Sequence, residues 1–159
     1  MGSIGAAKTY TSTDWNPAIR RWAVQNDTVS PEDRRAIEAF IRQAPRVDNN
    51  LSRGIAVSPQ QEASLEVGGT FSEGKLASWS TRVGIAQSFA RNNVTSEKPK
   101  MVIVRLDGGT NNAGKIGGLG GRRYDEGEAI MSSSASFVIT KIKRDKAVNG
   151  YTTIWVKER

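Results

Sequence analysis

Glu126-Gly127-Glu128 sets two carboxylates two residues apart, after a glycine-rich run and before the apolar Ala129-Ile130-Met131. In an extended strand, residues i and i+2 point to one face. The pair is therefore expected to project together from the mouth of a strand. Carboxylates held this way can stabilise a developing cation or take up a proton. Two other places carry chemistry. Arg53 alternates with Leu51, Ile55 and Val57, so it is expected to turn inward with them, and an inward guanidinium needs an anion such as a phosphate. Ser80-Thr81 ends a strand-like stretch just before a helical one. Each feature alone also has a plain structural reading: a solvated strand end, a paired surface arginine, a helix cap.

The 159-residue chain contains no cysteine and no histidine. Disulfides, thiolate zinc sites, cysteine nucleophiles and the Ser-His-Asp triad are thereby excluded. Chemistry must run on carboxylates, hydroxyls, Lys, Arg or a bound co-substrate. The net charge of +7 suits polyanions or phosphorylated ligands, but the basic residues are dispersed and do not alternate with aromatics as in a single-strand binder. No apolar stretch has the length of a membrane span, so no membrane insertion is expected.

The elements that must position these residues follow from periodicity. Residues 1–13 read as a flexible lead. Asn16-Pro17 opens a helix carrying Ile19, Trp22 and Ala23 and ending near Asn26-Asp27. Ser30-Pro31-Glu32-Asp33 opens a second helix, whose stripe is Ile37, Phe40 and Ile41 and which Pro45 closes. Strands are predicted at 51–57, 75–80, 101–106, 128–132, 136–143 and 151–157, and a helix with Ile85, Ala86 and Phe89 at 83–92. Residues 58–75 read as loop, and 107–121 as a mobile, substrate-accessible segment. Gly-Gly-Leu-Gly-Gly at 117–121 lacks both the Gly-Lys-Ser/Thr of a phosphate loop and the helix of a dinucleotide fingerprint. Trp15, Trp22 and Trp155 are expected in the core. Helices followed by a strand-dominated body indicate an α+β fold in a single domain, 14–159, with a helical part at 14–46 and a β-rich core at 47–159.

The order of these pieces resembles the arginine-serine-glutamate class of mono-ADP-ribosyltransferases, found among bacterial toxins, injected effectors and phage proteins. The resemblance covers most of residues 47–142. Asn50-Leu51-Ser52-Arg53-Gly54 is similar to the family's first strand with its NAD-binding arginine. Trp79-Ser80-Thr81-Arg82, followed by Ala86 and Phe89-Ala90, resembles the aromatic-Ser-Thr-Ser motif, with Arg82 where a serine is usual. Gly114-Lys115-Ile116 matches a signature ahead of the substrate loop. Glu126-Gly127-Glu128 with Phe137-Val138-Ile139 resembles the Glu-x-Glu strand and its neighbour, although only one residue separates Tyr124 from Glu126.

The resemblance implies N-terminal helices packed on two facing, mostly antiparallel sheets, with an NAD cleft between them. It implies a transferase that moves ADP-ribose from NAD to an arginine of a target protein, with no metal. Glu128 would act on the ribose, Ser80 would orient Glu128, and Glu126 would position the acceptor. Arg53, Gly54, Ser80, Thr81, Phe89 and Glu128 would line the NAD site, while Arg122, Arg123 and Tyr124 would meet the target. The expected setting is a monomeric toxin or effector, secreted or injected to act in the target cell's cytoplasm, with an immunity or inhibitor protein as a further partner. The alternatives are an NAD glycohydrolase, an enzyme that modifies RNA, and a basic binding module on a degenerate fold of this kind.

Overall fold

The computed structural model describes residues 21–116, 127–147 and 150–159, with the backbone only for Arg21 and Trp22. Its elements in chain order are α1 (Arg21–Gln25), α2 (Pro31–Gln43), β1 (Leu51–Val57), α3 (Pro59–Ala63), β2 (Thr70–Phe71), β3 (Ala77–Ser80), α4 (Val83–Asn92), β4 (Lys100–Leu106), β5 (Ala113–Lys115), β6 (Glu128–Met131), β7 (Phe137–Arg144) and β8 (Tyr151–Glu158). Two compact units emerge. The first holds the chain up to Asp48 with Glu73–Ser78 and Gly109–Ala135; the second holds Asn49–Ser72, Trp79–Gly108 and Ser136–Arg159.

In the first unit, α2 starts as its sequence demands. The Ser30 side chain accepts the Asp33 amide at 3.1 Å, Pro31 takes the first turn, and Glu32 and Asp33 face the positive end of the helix dipole. Its buried stripe of Ala36, Ile37 and Ile41 packs with Val24, Leu76, Ile116 and Ile130. β5 and β6 pair antiparallel, with Gly114 opposite Ile130. A Cβ on Gly114 would lie 2.6 Å from the Phe40 ring. A Cβ on Gly109 would lie 2.3 Å from the Val47 carbonyl, where Val47 and Thr110 exchange backbone hydrogen bonds of 2.9 and 2.8 Å. The first part of the glycine-rich run is thus packed structure rather than the mobile segment expected. Its glycines are the points where another element comes too close for a side chain. Residues 117–121 lie outside the described residues.

In the second unit the hydrogen-bonded strand order is β2-β7-β8-β4-β1-β3. β4 and β8 run parallel and the other pairs antiparallel. One face buries Leu51, Val102, Val104, Leu106, Ile154 and Val156. Arg53 leaves β1 on this face, opposite Val104, and is half-buried. The other face, which the alternation argument left open to solvent, is also covered. There α4 lays Ala86 and Ala90 over Met101 and Ile103, with Tyr151 beside them. The Trp79 indole meets the Phe137 ring at 5.5 Å between centroids. Trp155 is not core: it is half-buried, with Lys141 Nζ 4.7 Å from its ring centre.

Residues 58–75, expected as loop, contain α3 and β2. Ser58 and Gln61 form a reciprocal capping box, with Pro59 in the first turn. This short helix positions Glu62, whose Oε1 accepts from Arg144 Nε at 2.6 Å and from Thr152 Oγ1 at 3.0 Å. Burial works to raise the Glu62 pKa. Hydrogen bonds from Arg144 and Thr152 and the charges of Arg144 and Lys100 outweigh it, so the pKa is held below its ordinary value of 4.5. A carboxylate lowered by folding contributes stability at pH values above its unfolded pKa and loses it as pH falls through the folded one. Glu62→Gln should lower Tm at neutral pH, by about 1–3 kcal/mol of stability from a lost charge-assisted bond. Its deficit relative to wild type should shrink steadily below pH 4.5, as read by thermal melts across pH.

Candidate active site

Glu128 is the first residue of β6 and 2% exposed. Burial of a carboxylate requires donors. Ser78 Oγ donates to Glu128 Oε2 at 2.5 Å, and Gln25 Nε2, from the end of α1, donates to the same oxygen at 3.3 Å. The Glu128 carbonyl accepts from Ile116 N at 3.0 Å, which ties the mouth of β6 to the segment just after β5. Gly127 has φ +63°, a left-handed conformation that costs a residue with a Cβ about 1–2 kcal/mol. The chain is therefore not extended at Gly127, and strand alternation does not carry from Glu126 to Glu128 as expected. Glu126, Arg122, Arg123 and Tyr124 lie outside the described residues.

In the second unit, Ser80 ends β3 directly opposite Ser52 of β1, and both are buried. Ser80 Oγ accepts the Arg82 amide at 3.0 Å, a local turn that hands the chain into α4. The N-cap residue of α4 is Arg82, with no side-chain cap bond, so the Ser80-Thr81 pair turns the chain without capping the helix in the ordinary sense. Because Ser52 faces Ser80, the next residue, Arg53, projects to the opposite side of β1. Gly54 lies under α4, where a Cβ would sit 1.7 Å from the Ala86 carbonyl oxygen. Thr81 and Phe89 are both half-buried.

Sequence reasoning missed two of the residues on Glu128. Ser78 stands two before Ser80 in the same strand, so the spacing rule applied to the glutamates could have found it. Gln25 comes from 103 positions away and carried no local signal. Among the described residues, no group of three or more His, Cys, Asp or Glu side chains is placed to hold a metal, and no helix is long and apolar enough to cross a membrane.

No protein-family model and no curated protein sequence matches the chain. Solved structures do. The Vis toxin, an ADP-ribosyltransferase from Vibrio splendidus, superposes with a TM-score of 0.68 at 22% identity, over 100% of this chain and 68% of that one. The same enzyme in complex with agmatine gives 0.69 at 23% identity, over 100% and 69%. Exoenzyme S from Pseudomonas aeruginosa, bound to carba-NAD and a human 14-3-3 protein, gives 0.56 at 13% identity, over 98% and 72%. These likenesses match the α+β order of helices and mostly antiparallel strands built above: the chain has the fold of the bacterial ADP-ribosyltransferase toxins and effectors.

Proposed function

We propose that this protein is a mono-ADP-ribosyltransferase that transfers ADP-ribose from NAD to a guanidinium acceptor, an arginine of a target protein, and releases nicotinamide. The observation that carries this reading is Glu128, a buried carboxylate held at the mouth of β6 by Ser78 and Gln25 in a chain of this fold. Cleaving the bond between ribose C1′ and nicotinamide passes through an oxocarbenium-like state, as glycoside hydrolysis does. A fixed carboxylate near that carbon stabilises the cation, and its fixed hydrogen bonds spare reorganisation at the moment of reaction. The bonding electrons leave with nicotinamide, which departs neutral, so no strong general acid is required. A histidine-free chain can therefore do this chemistry. Arg53, Gly54, Ser80, Thr81 and Phe89 are assigned to NAD binding, with Ser80 also orienting Glu128. Glu126 is assigned to the acceptor, whose guanidinium nitrogen attacks C1′ while its proton passes to that carboxylate. Agmatine, found bound to the Vis toxin, carries the same guanidinium, which favours this acceptor class. Arg122, Arg123 and Tyr124 are assigned to target contact, and a toxin or effector role outside the producing cell follows from the same relatives.

The test is incubation with labelled NAD, with agmatine or a cell lysate as acceptor. Labelled agmatine or protein supports the reading. Nicotinamide release with no labelled acceptor would instead make the protein a glycohydrolase, and label in RNA would move the acceptor to nucleic acid. Glu126→Ala should keep NAD cleavage and lose transfer. Ser78→Ala should lower kcat about 10- to 100-fold with KM nearly unchanged, the loss of one charge-assisted hydrogen bond to Glu128. Ser78→Thr, which restores the hydroxyl, should recover most of it.

A further inference from the structure

One transverse row of the second unit's sheet reads Ser80, Ser52, Arg105, Trp155, Lys141 across β3, β1, β4, β8 and β7. Register partners share a face. All five side chains therefore project to the side on which α4 covers Gly54. Ser80 and Ser52 are buried, Arg105 and Trp155 half-buried, and Lys141 exposed. Arg105 Nε is buried with no hydrogen-bond partner among the described residues, and none of the ion pairs there involves Arg105. Its row neighbours are hydroxyls, an indole and an ammonium, with no carboxylate among them. Asp107, the nearest acid along the chain, is exposed and lies past the end of β4. A guanidinium partly withdrawn from water is costly unless its donors meet an anion, and its planar fork matches phosphate oxygens two at a time. Lys141 adds a second positive charge to the same row. Arg53 leaves β1 on the opposite face and is no part of it.

Resting on the NAD-dependent reaction proposed above, we propose that Arg105 is a substrate-binding residue that holds the diphosphate of the dinucleotide, with Ser52 beside it as a hydroxyl donor. The diphosphate keeps its charge while the glycosidic bond breaks. This contact is then equally strong in the ground and transition states, so it sets KM and leaves kcat alone.

Wild-type, Arg105→Gln and Arg105→Lys proteins are compared for nicotinamide release from NAD and for inhibition by ADP, which carries the diphosphate, and by adenosine, which does not. Arg105→Gln should raise KM for NAD and Ki for ADP about ten- to hundredfold with kcat within about twofold, and Arg105→Lys should fall between. Inhibition by adenosine should be the same in all three. An unchanged KM for NAD in Arg105→Gln overturns the proposal. So does equal weakening of ADP and adenosine, which would make Arg105 a packing residue. A wild-type protein that neither cleaves NAD nor is bound by it sinks the NAD reading itself and this inference with it, a failure separate from one seen only in the Arg105 variants.

Discussion

Glu128→Gln is expected to lower the rate of nicotinamide release by about a thousandfold or more while leaving the protein folded, with a Tm equal to or above that of wild type. The two halves of this expectation come from one fact: the side chain is 2% exposed and its Oε2 is held by Ser78 and Gln25. A buried carboxylate costs desolvation, and an amide of the same shape removes that cost while keeping one oxygen for the Ser78 hydroxyl. Stability therefore has little to lose. Catalysis does, because the ribose cation requires a full negative charge at a fixed position and an amide oxygen carries only a partial one. Nicotinamide release and a thermal melt on the same preparation check both halves. A variant that keeps more than about a tenth of the wild-type rate would remove Glu128 from the chemistry, since one oxyanion-hole-scale interaction is worth at least about a hundredfold. A variant that loses activity together with its fold would make Glu128 structural.

The parts of this site legible in sequence were those set by strict alternation within one strand. Arg53 sits in β1 on the Leu51 face, as its parity required. Ser80 ends β3 immediately before α4, and Ser78 was reachable by the same two-residue rule. The relation between Glu126 and Glu128 was misjudged because alternation holds only while the backbone is extended, and Gly127 at φ +63° breaks it. Gln25 and Arg105 were out of reach for a different reason. Gln25 meets Glu128 through tertiary packing, and the importance of Arg105 lies in its register with Ser52, which no local pattern encodes.

The fold divides along the same line. α4 and β1 match the predicted spans residue for residue, because apolar periodicity and flanking polar residues mark both ends. α3 was passed over, although Ser58-Pro59-Gln60-Gln61 spells a capping box. Glycine caused the larger error. In residues 107–116 it was read as freedom, whereas Gly109 and Gly114 mark contact with the Val47 carbonyl and the Phe40 ring. Composition records that side chains are missing but not which neighbour fills the space.

Gly54→Ala tests that reading of glycine where the clash is most severe. A Cβ there would lie 1.7 Å from the carbonyl oxygen of Ala86, 2.6 Å from its carbon and 3.0 Å from the Ala90 amide nitrogen. All three are backbone atoms of α4, so no rotamer change relieves the overlap. Either the helix lifts off β1 by more than an ångström or it does not dock. Lifting would separate Ala86 and Ala90 from Met101 and Ile103, opening a void in a cluster that is closed in the wild type. Core disruptions of this size cost about 3–5 kcal/mol, and for a chain of this length each kcal/mol is worth about 2–4 °C of Tm. Gly54→Ala should therefore melt about 10 °C or more below wild type, or fail to accumulate as soluble protein, and lose activity accordingly. Gly84→Ala is the matched control. Gly84 sits near the start of the same helix, and a Cβ added there would meet nothing within 4 Å, so alanine should be neutral or should stabilise by up to about 1 kcal/mol through helix propensity. If Gly54→Ala melts within a few degrees of Gly84→Ala, α4 does not pack on β1 through Gly54, and the placement of Ser80 at the start of that helix loses its support.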